Sequence, residues 1–516
     1  MDQRHTGGDL TNRTAPLEMS PEEFRKLGHD AVDRIAEFLA SLPGRPVTPA
    51  EPPDLVRELL GGGGLPMTGA DPGRLLEETA SLLFNHSLFN GHPRFWGYIT
   101  SSAAPIGCLA DLLASAVNPN VGGWWIAPIA SEIEAQTIRW LAELIGYPTA
   151  AGGLLVSGGN MANLVGFWAA RKAKTPWDVH SEGISAHPER RLRVYTSQET
   201  HTWIQKAADL AGLGTDAVRW IATDHKLRMD PELLRAQIDE DRQNGDHPML
   251  VIGTAGSVST GAIDPLPELA ALCREQEIWF HVDGAYGAAA AALPDAPPDL
   301  KGLSEADSVA MDPHKWLYAP LEAGCVLVRD PSLLRETFSY HPPYYPEKDR
   351  EREEPPIMYF EHGPQNSRGF RALKVWLGLR QVGREGYVRM ISDDILLTRV
   401  LYRLVESDPD LEAWTQSLSI ATFRYVPGDL RTRTKEAGEY LDTLNREVLT
   451  RLQNGGRAYV SHAVIDGTFV LRSCIVNFRT TLKDVQALPG IVTVLGKEID
   501  AASRPATLRP GPASPP

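Results

Sequence analysis

The sequence has few cysteines and no long apolar run. Its four cysteines, Cys108, Cys273, Cys325 and Cys474, are scattered among 516 residues without the spacing of a metal or redox motif. No segment approaches the roughly 18 consecutive apolar residues that a membrane-spanning helix needs. The N-terminal residues also lack the apolar core of a secretion signal. We therefore expect a cytoplasmic protein with reduced thiols, no bound metal and no association with membranes.

Basic residues are outnumbered by acidic ones. The chain carries 51 Lys and Arg against 66 Asp and Glu, a formal net charge of −15, which argues against a nucleic-acid-binding protein. Hydrophobic residues make up 42% and charged residues 23% of the chain, the proportions of an ordinary globular protein. A chain of this length can bury a large core and is expected to divide into two or three domains.

The first structured element is predicted to be an amphipathic helix. Ser20 is placed to cap it, Pro21 suits the first helical position, and apolar side chains recur between residues 24 and 38. Pro43 then ends the pattern. Two interpretations remain open: an arm that packs on another surface, such as a second subunit, or an ordinary surface helix of the same domain.

Between residues 141 and 329, short β-rich runs alternate with helical stretches. This alternation is typical of an α/β fold with a mainly parallel sheet, which binds ligands beyond the carboxyl ends of its strands. After residue 366, a long helical stretch leads to a smaller α+β segment. The predicted strands are 193–196, 217–221, 249–254, 278–283, 308–312 and 325–329 in the sheet, and 420–425 and 469–478 in the smaller segment, which also has a predicted helix over 438–454.

Two of the predicted strands end in residues that suit a carbonyl cofactor. Lys315, beside His314, follows the strand 308–312, where partial desolvation would lower the pKa of its amine and favour a Schiff base. Asp283 ends the strand 278–283, where its carboxylate can pair with the protonated ring nitrogen of a pyridoxal cofactor. Each residue alone is weak support, because most lysines are surface charges and many such aspartates cap helices.

A glycine-rich turn and a histidine complete the candidate site. Residues 157–163 lead into a predicted helix over 164–172, so their free backbone N–H groups can form a phosphate cradle. The turn lacks the pattern of a nucleoside triphosphate loop. His201 follows the strand 193–196 and opens another helix, where it can stack on a cofactor ring and handle protons.

These motifs, in this order, resemble those of the pyridoxal 5′-phosphate (PLP)-dependent decarboxylases, the group that includes aromatic-L-amino-acid, glutamate and cysteine-sulfinate decarboxylases. The resemblance extends from about residue 20 to about residue 495. Its most specific parts are GHPRFWGY (91–98), SEIEAQTIRWL (131–141), SGGNMANLVGFWAAR (157–171), HVDGAY (281–286), DPHKW (312–316) and RGFRALKVW (368–376).

The resemblance assigns roles to residues of the candidate site. It implies that Lys315 forms the Schiff base and that Asp283 pairs with the pyridinium nitrogen. His201 is expected to stack on the ring, with Ala285 beneath it. Asp312 is expected on the phosphate side, where an acid is awkward unless it is hydrogen-bonded. The implied cofactor-binding residues are Gly158, Gly159 and Asn160 of the phosphate loop, together with His201, Thr254, Asp283, Ala285, Asp312, His314 and Lys315.

The resemblance also implies a catalytic loop. In this family a mobile loop after the lysine supplies a Tyr that returns a proton after decarboxylation. The matching position here is Tyr344, with Tyr340 and Tyr345 as neighbouring alternatives. A Phe at this position would favour the relatives that release an aldehyde oxidatively, so the Tyr favours plain decarboxylation.

Aromatic residues dominate the predicted substrate pocket. Two adjacent Trp residues and a Phe-Trp pair argue for an apolar or aromatic substrate, because an acidic substrate would demand Arg or Lys donors. Aromatic side chains in a pocket wall are, however, often only packing. The candidates are Phe95, Trp96, Tyr98, Ser101, Trp124 and Trp125.

Together these features predict a homodimeric decarboxylase of an L-amino acid, aromatic substrates being favoured, with the aspartate-aminotransferase type of fold (fold type I). The alternatives are a decarboxylase of an acidic or non-standard amino acid, a PLP-dependent carbon–carbon lyase and an aldehyde synthase. We expect an N-terminal arm and helical segment over 1–100, a large PLP-binding domain over 101–365, a small α+β domain over 366–497 and a disordered tail over 498–516.

Overall fold

The computed structural model describes residues 15–340, 356–431 and 434–509. These residues form two compact units, and the chain passes from the first to the second between Phe89 and Asn90. The first unit contains helices α1 (Pro21–Ser41), α2 (Pro53–Leu60) and α3 (Pro72–Asn85). Ser20 caps α1 as the sequence predicts, because its side chain accepts a hydrogen bond from the backbone N–H of Glu23.

Helices α1 and α3 pack through an aromatic contact. The rings of Phe38 and Phe84 stack with their centroids 4.4 Å apart, and the Arg45 guanidinium donates a hydrogen bond to the carbonyl of Phe84. Other apolar side chains of α1 stay accessible, since Phe24 is 58% exposed and Ile35 is 42% exposed. The helix therefore carries apolar surface that its own unit does not cover.

The second unit is built from helices packed around two sheets. Its helices are α4 (Pro105–Val117), α5 (Pro128–Leu144), α6 (Gly159–Lys174), α7 (Val179–Glu182), α8 (Trp203–Leu210), α9 (Pro231–Gln243), α10 (Leu266–Glu275), α11 (Ser332–Phe338), α12 (Ala372–Ser407), α13 (Lys435–Asn454) and α14 (Leu482–Ser503). Its strands are β1 (Phe95–Trp96), β2 (Gly152–Val156), β3 (Leu192–Ser197), β4 (Val218–Ile221), β5 (His247–Thr254), β6 (Trp279–Asp283), β7 (Ser308–Met311), β8 (Gly324–Val328), β9 (Leu411–Ser417), β10 (Ile420–Tyr425), β11 (Tyr459–Ile465) and β12 (Thr468–Cys474).

The larger sheet has the strand order β2-β8-β7-β6-β5-β3-β4. Strands β4, β3, β5, β6 and β7 pair in parallel, whereas β8 is antiparallel to both β7 and β2. The strands β5 to β8 are almost completely buried, as expected for a sheet covered by helices. The prediction of an α/β fold with a mainly parallel sheet is therefore confirmed.

The smaller sheet has the order β1-β11-β12-β10-β9 and is antiparallel except for the β1–β11 pair. Phe95 and Trp96 form β1, so they belong to this sheet and not to an N-terminal helical segment. Helix α14 also continues past residue 498 and buries Ile499 and Asp500. The part of the predicted tail before Arg504 is thus helical, because its apolar side packs in the core.

Hydrogen bonds tie the two sheets together. The hydroxyls of Tyr286, after β6, and Ser419, between β9 and β10, lie 2.6 Å apart, and the Ser419 backbone N–H donates to the Tyr286 oxygen. Nearby, the Ser417 hydroxyl donates to the carbonyl of Gly261 at 2.8 Å. The small sheet is therefore fixed directly to loops at the edge of the large one.

A buried ion pair joins two of the sequence motifs. Glu134 on α5 pairs with Arg368, and both side chains are at most 1% exposed. Glu134 also accepts a hydrogen bond from the Leu155 backbone N–H on β2, while Arg368 donates to the carbonyls of Leu155 and Val121. The pair thus connects α5, β2 and the segment that leads into α12.

Among the helices that the structure describes, none combines the length and the hydropathy of a membrane span. All four cysteines are free thiols, with Cys273, Cys325 and Cys474 buried and Cys108 exposed. Three of the four thiols therefore contribute to the packed core.

We predict that breaking the Glu134–Arg368 pair from one side is costly. Replacing either residue alone with Leu should lower the free energy of unfolding by about 3–5 kcal/mol, because the remaining charge stays buried without its partner. The double replacement should cost clearly less than the sum of the two single ones. Urea unfolding of the four proteins measures this, and strictly additive losses would contradict the coupling.

Candidate active site

A cavity of about 560 Å³ lies at the carboxyl ends of the large sheet's parallel strands. The small sheet supplies its other wall through β11 and β12. Its position agrees with the general rule for ligand sites in parallel sheets. The lining residues are Tyr98, Ile99, Thr100, Gly159, Asn160, Asn163, His201, Thr254, Gly256, Val258, Ser259, Asp283, Ala285, Tyr286, Asp312, Lys315, Leu449, Gln453, Ser461, His462 and Arg472.

Lys315 enters the cavity from the loop that follows β7. Its Nζ lies 3.1 Å from Oδ2 of Asp312, and its backbone N–H donates to the Asp312 carbonyl in a tight turn. The preceding residue, His314, does not line the cavity: its Nδ1 lies 2.8 Å from the Ala323 carbonyl, and its Nε2 lies 3.7 Å from Asp312 Oδ2. Ser101 donates a hydrogen bond to the His314 carbonyl, so it supports the lysine loop and does not line the cavity.

A buried carboxylate on α12 anchors the same loop. Asp394 accepts hydrogen bonds from Trp316 Nε1 at 2.9 Å and from the Tyr318 hydroxyl at 2.7 Å. Burial raises the pKa of Asp394 to about 7. The Trp316 ring also stacks on Tyr286 of the cavity wall, with centroids 4.9 Å apart. The loop that carries the lysine is therefore fixed in place by contacts of Trp316 and Tyr318, which the motif alone does not predict.

Asp283 stands at the end of β6 as predicted. Its Oδ2 accepts a hydrogen bond from Trp203 Nε1 at 2.8 Å, and its Oδ1 accepts one from the Ala285 backbone N–H. His201 lies on the same side, just before α8, and burial lowers its pKa, which keeps the imidazole neutral near pH 7. The sequence analysis missed Trp203, although it immediately follows the Thr-His-Thr motif.

The predicted phosphate loop is the start of α6. Gly158 has φ 110°, a conformation that other residues rarely adopt, and the helix begins at Gly159. A Cβ atom on Gly159 would lie 2.6 Å from Asp312 Oδ2, so glycine keeps this end of the cavity open. Asn160 lines the cavity, whereas Gly158 packs against His314 outside it.

Thr254 and Ala285 complete the cofactor candidates. Thr254 ends β5, next to Asp283 in the sheet register, and its hydroxyl lies 3.3 Å from that of Thr200. Ala285 follows β6 and lines the cavity beside Gly159, where a Cβ on that glycine would lie 3.1 Å from the Ala285 Cβ.

A chain of hydrogen bonds leads from the core to the cavity. Trp279 Nε1 donates to the Ser308 hydroxyl, which lies 2.7 Å from Nδ1 of His281, and His281 Nε2 lies 2.7 Å from Oδ1 of Asn163. Burial lowers the pKa of His281 to about 4, so this imidazole is neutral. A neutral ring that donates through Nε2 orients the Asn163 amide, whose side chain reaches the cavity.

Most of the predicted substrate residues lie elsewhere. Tyr98 does line the cavity, but Trp96 is 1% exposed and donates from Nε1 to Thr480 in the core of the small domain. Phe95 is buried against the Tyr459 ring. Both predictions fail because β1 directs these side chains into packing.

The adjacent tryptophans are also away from the cavity of this chain. Trp124 Nε1 donates to Glu132, and the Trp125 ring contacts Trp124 edge-on while remaining 42% exposed. Tyr344 and its neighbour Tyr345 lie outside the described residues, and Tyr340 is 68% exposed beside the ring of His180.

Arg472 is the most important residue that the sequence analysis missed. It lies on β12, lines the cavity and is 2% exposed. Its Nη1 donates to the Tyr98 carbonyl at 3.0 Å, but Nε and Nη2 have no hydrogen-bond partner among the described residues. An Arg inside the apolar run Phe-Val-Leu-Arg-Ser-Cys was the available signal, because a buried guanidinium needs a partner.

These residues fit the chemistry of PLP. A lysine amine can bind a carbonyl carbon, a fixed carboxylate can pair with a pyridinium nitrogen, and a helix start with free backbone N–H groups can bind a phosphate. All three groups open into one cavity, and the unpartnered Oδ1 of buried Asp312 leaves room there for a further hydrogen bond.

Comparisons with known proteins give the same assignment. Residues 66–426 match the model of the pyridoxal-dependent decarboxylase conserved domain. The chain is 35% identical over 485 residues to an aromatic-L-amino-acid decarboxylase of Bacillus atrophaeus, covering 94% of this chain and 97% of that protein. It is 29% identical over 475 residues to a phenylacetaldehyde synthase of a Rosa hybrid cultivar, covering 89% and 91%.

A solved structure shares the fold. The crystal structure of Oryza sativa TDC with PLP and tryptamine superimposes with a TM-score of 0.86 at 28% identity, covering 94% of this chain and all of that one. The predicted fold type, cofactor and reaction class are thus confirmed. The chain belongs to the pyridoxal-dependent decarboxylase family and is a PLP-dependent carboxy-lyase.

Proposed function

We propose that the protein decarboxylates an aromatic L-amino acid to the corresponding amine. The observation that carries this proposal is the apolar wall beside Lys315, formed by Tyr98, Val258, Tyr286 and Leu449. A large ring gains most from leaving water against such a surface. The similarity to an aromatic-L-amino-acid decarboxylase supports the same class of substrate.

Lys315, Asp283 and His201 each have a separate role in the proposed reaction. When bound, PLP acts as the electron sink for the carbanion that loss of carbon dioxide leaves. Lys315 would bind the carbonyl carbon of the cofactor through its Nζ. Asp283, held by Trp203 at 2.8 Å, would pair with the protonated ring nitrogen. The neutral His201 would lie against the ring and could exchange a proton with the substrate.

The other cofactor candidates position the ring and the phosphate. Gly158 gives α6 its starting geometry, and the backbone N–H groups of Gly159 and Asn160 would bind the phosphate. Thr254 and Ala285, at the ends of β5 and β6, line the cavity and would hold the ring there.

Arg472 binds the α-carboxylate of the substrate. Its two unpartnered N–H groups, on Nε and Nη2, form a fork of the kind that carboxylates accept in a bidentate way. An aromatic amino acid carries no other anion, so this contact would orient the bond that breaks. The apolar wall then remains free for the side chain.

A second candidate function follows from the same arginine. If Arg472 instead binds a side-chain carboxylate, the protein decarboxylates an acidic amino acid. The His462 ring, which stacks on Phe469 and lines the cavity with Arg472, would border the same polar end. The two functions differ in which substrates depend on Arg472.

A substrate panel with two variants separates these functions. The wild-type protein should release carbon dioxide and amine from L-Trp, L-Tyr or L-Phe but not from L-Glu. Arg472→Met should raise KM at least about tenfold for every accepted substrate, because each loses the same contact, while the visible absorbance of the bound cofactor persists. Activity confined to acidic substrates would contradict the aromatic proposal.

Two lysine variants control this experiment. Lys315→Ala should lose both amine release and the visible cofactor absorbance. Lys301→Ala, which alters an exposed lysine, should leave both unchanged. A Lys315→Ala protein that keeps its absorbance and turnover would rule out the assignment of the lysine.

Tyr344 is proposed as the proton donor from the position of its motif in the sequence. In air-saturated buffer, replacing Tyr344 with Phe should preserve cofactor binding but shift the products from amine towards aldehyde and ammonia, because the carbanion then lacks its acid and is oxidised by dissolved dioxygen, which is reduced to hydrogen peroxide. Liquid chromatography of the products checks this, with Tyr345→Phe as the matched control. Unchanged amine yield in Tyr344→Phe, or the shift in Tyr345→Phe alone, would reject the assignment.

We also propose that the protein is a homodimer. One face of α4 exposes Leu109, Leu112, Leu113 and Val117 at 49–73% of their surface, and Ile129 of α5 is 71% exposed. A contiguous apolar face of this kind is typical of a subunit interface. The uncovered apolar residues of α1 favour the interpretation of the N-terminal helix as an arm on a partner subunit.

Charge on the α4 face should therefore disrupt the dimer. Leu112→Glu should convert a dimer into a monomer in sedimentation velocity experiments, because a buried carboxylate at the interface lacks a partner. Leu210→Glu, at an α8 residue that is 67% exposed, should leave the dimer intact. A wild-type monomer, or a Leu112→Glu dimer, would contradict the proposed interface.

The cytoplasm is the proposed location. All four cysteines are free, and three of these thiols are buried. Free thiols persist in a reducing compartment. Cell fractionation is the direct check.

A further inference from the structure

Both carboxylate oxygens of Asp283 accept hydrogen bonds from neutral donors. Oδ2 accepts from the indole N–H of Trp203 at 2.8 Å, and Oδ1 accepts from the backbone N–H of Ala285 at 3.2 Å. Trp203 is 1% exposed and Asp283 is 8% exposed, so water contributes little to the stabilisation of the carboxylate. Buried carboxylates usually pair with a cation, but among the described residues no Lys, Arg or His forms an ion pair with this one. Two neutral groups therefore fix its orientation.

The two histidines that lie near Asp283 do not supply the missing cation. Burial lowers the pKa of His201 and lowers that of His281 to about 4, although the carboxylate of Asp283 favours the charged form of both. Near pH 7 both imidazoles are therefore neutral. The carboxylate remains available for a cation that enters with a ligand, and the protonated ring nitrogen of the cofactor is such a group.

The indole of Trp203 is itself fixed by contacts on both sides. Trp203 is the first residue of α8, and its backbone N–H donates to Nδ1 of His201 at 3.3 Å. Its ring meets the ring of His281 edge-on, with the centroids 5.8 Å apart. His281 is held in turn by Ser308 and Asn163, each at 2.7 Å. The direction of the indole N–H is thus set by packing that does not involve Asp283.

We propose that Trp203 is a positioning residue that fixes the carboxylate of Asp283 in the orientation from which it pairs with the ring nitrogen of the cofactor. An indole N–H suits this task, because it only donates and carries no charge. A Lys or Arg in the same place would neutralise the carboxylate and compete with the cofactor for it. The inference rests on the pairing of Asp283 that is part of the proposed function, and it adds a residue that acts only through Asp283.

Removal of the indole N–H tests this role. Trp203→Phe keeps an aromatic ring in the core and leaves the backbone hydrogen bond to His201 in place. We expect the dissociation constant for PLP to rise about tenfold or more, because Asp283 Oδ2 loses its donor and the carboxylate is free to turn. Full-length apoprotein is titrated with PLP, and the visible absorbance of the bound cofactor measures binding.

A second substitution separates loss of the donor from loss of shape. Replacing Trp203 with benzothienyl-L-alanine, introduced by amber suppression, puts sulfur in place of the N–H and preserves the bicyclic ring. It should weaken PLP binding about as much as Trp203→Phe does, and it carries the test if Trp203→Phe does not fold. Trp376→Phe is the matched control: it removes an indole N–H that donates to Gln136 at 2.7 Å away from the cavity, and it should bind PLP as wild type does.

A double-mutant cycle measures whether Trp203 acts through Asp283. Asp283→Ala should itself weaken PLP binding and change the visible absorbance of the bound cofactor. When Trp203→Phe is added to Asp283→Ala, the dissociation constant should rise by less than about twofold, because the indole then has no carboxylate to hold. A residue with a merely structural role would cost the same affinity in both backgrounds.

The outcomes distinguish this inference from the proposed function. Wild-type affinity in the benzothienyl variant, or equal losses in both backgrounds of the cycle, would overturn the positioning role and leave the role of Asp283 intact. Unchanged PLP binding and absorbance in Asp283→Ala would overturn the proposed pairing, and the role of Trp203 with it. Since no readout uses an amino acid, a wrong substrate assignment would change the turnover panel and leave these titrations as they are.

Discussion

Parallel pairing of β5, β6 and β7 is the constraint on which the site depends. Because Thr254 is paired with Asp283, and Asp283 with Ala310 just before the lysine loop, the register of three strands decides where the catalytic groups emerge. A slip of one residue would turn Asp283 to the other face of the sheet. Because helices bury these strands, such a slip would destabilise the fold. The packing of the core therefore determines the geometry of the cavity.

The parts of the fold that could be predicted are those in which local pattern and tertiary structure agree. The strand 420–425 was predicted with its observed bounds, and Ser20 caps α1 as its sequence indicates. Strands β1, β2, β9 and β11 were missed, and β2 and β9 show why. β2 contains two glycines and follows a turn, and β9 is half-exposed and mixes charged with aromatic residues, so neither shows a clear alternation.

The candidate site divides in a similar way. Residues near Lys315 and Asp283 were found because strand ends and motifs lie close together in sequence. Arg472 and Asp394 reach the same region from elements that are far away in sequence, and no short sequence motif predicts their position. Trp96 illustrates the opposite error, since an aromatic residue inside a recognisable motif turned out to fill the core of the small domain. Sequence motifs thus predict which segments lie near the site, whereas the direction of each side chain depends on the folded sheet.

The cavity brings together two acidic and two basic side chains before any ligand is considered. Asp283 and Asp312 face Lys315 from two strand ends, while Arg472 approaches from the small sheet. Each acid has a different support, an indole N–H for Asp283 and the lysine for Asp312. Two carboxylates of the same type therefore have different hydrogen-bond partners, and this difference arises from the neighbouring elements and not from residue type.

The hydrogen bonds between Tyr286 and Ser419 have a consequence for how small molecules reach the interior. These bonds cross from the large sheet to the small one at the cavity, and Arg472 adds a further link to the Tyr98 backbone. Separating the two sheets would break all of them at once in a buried setting. We therefore expect an amino acid to enter the cavity, and its product to leave, from the solvent-exposed side with these hydrogen bonds intact.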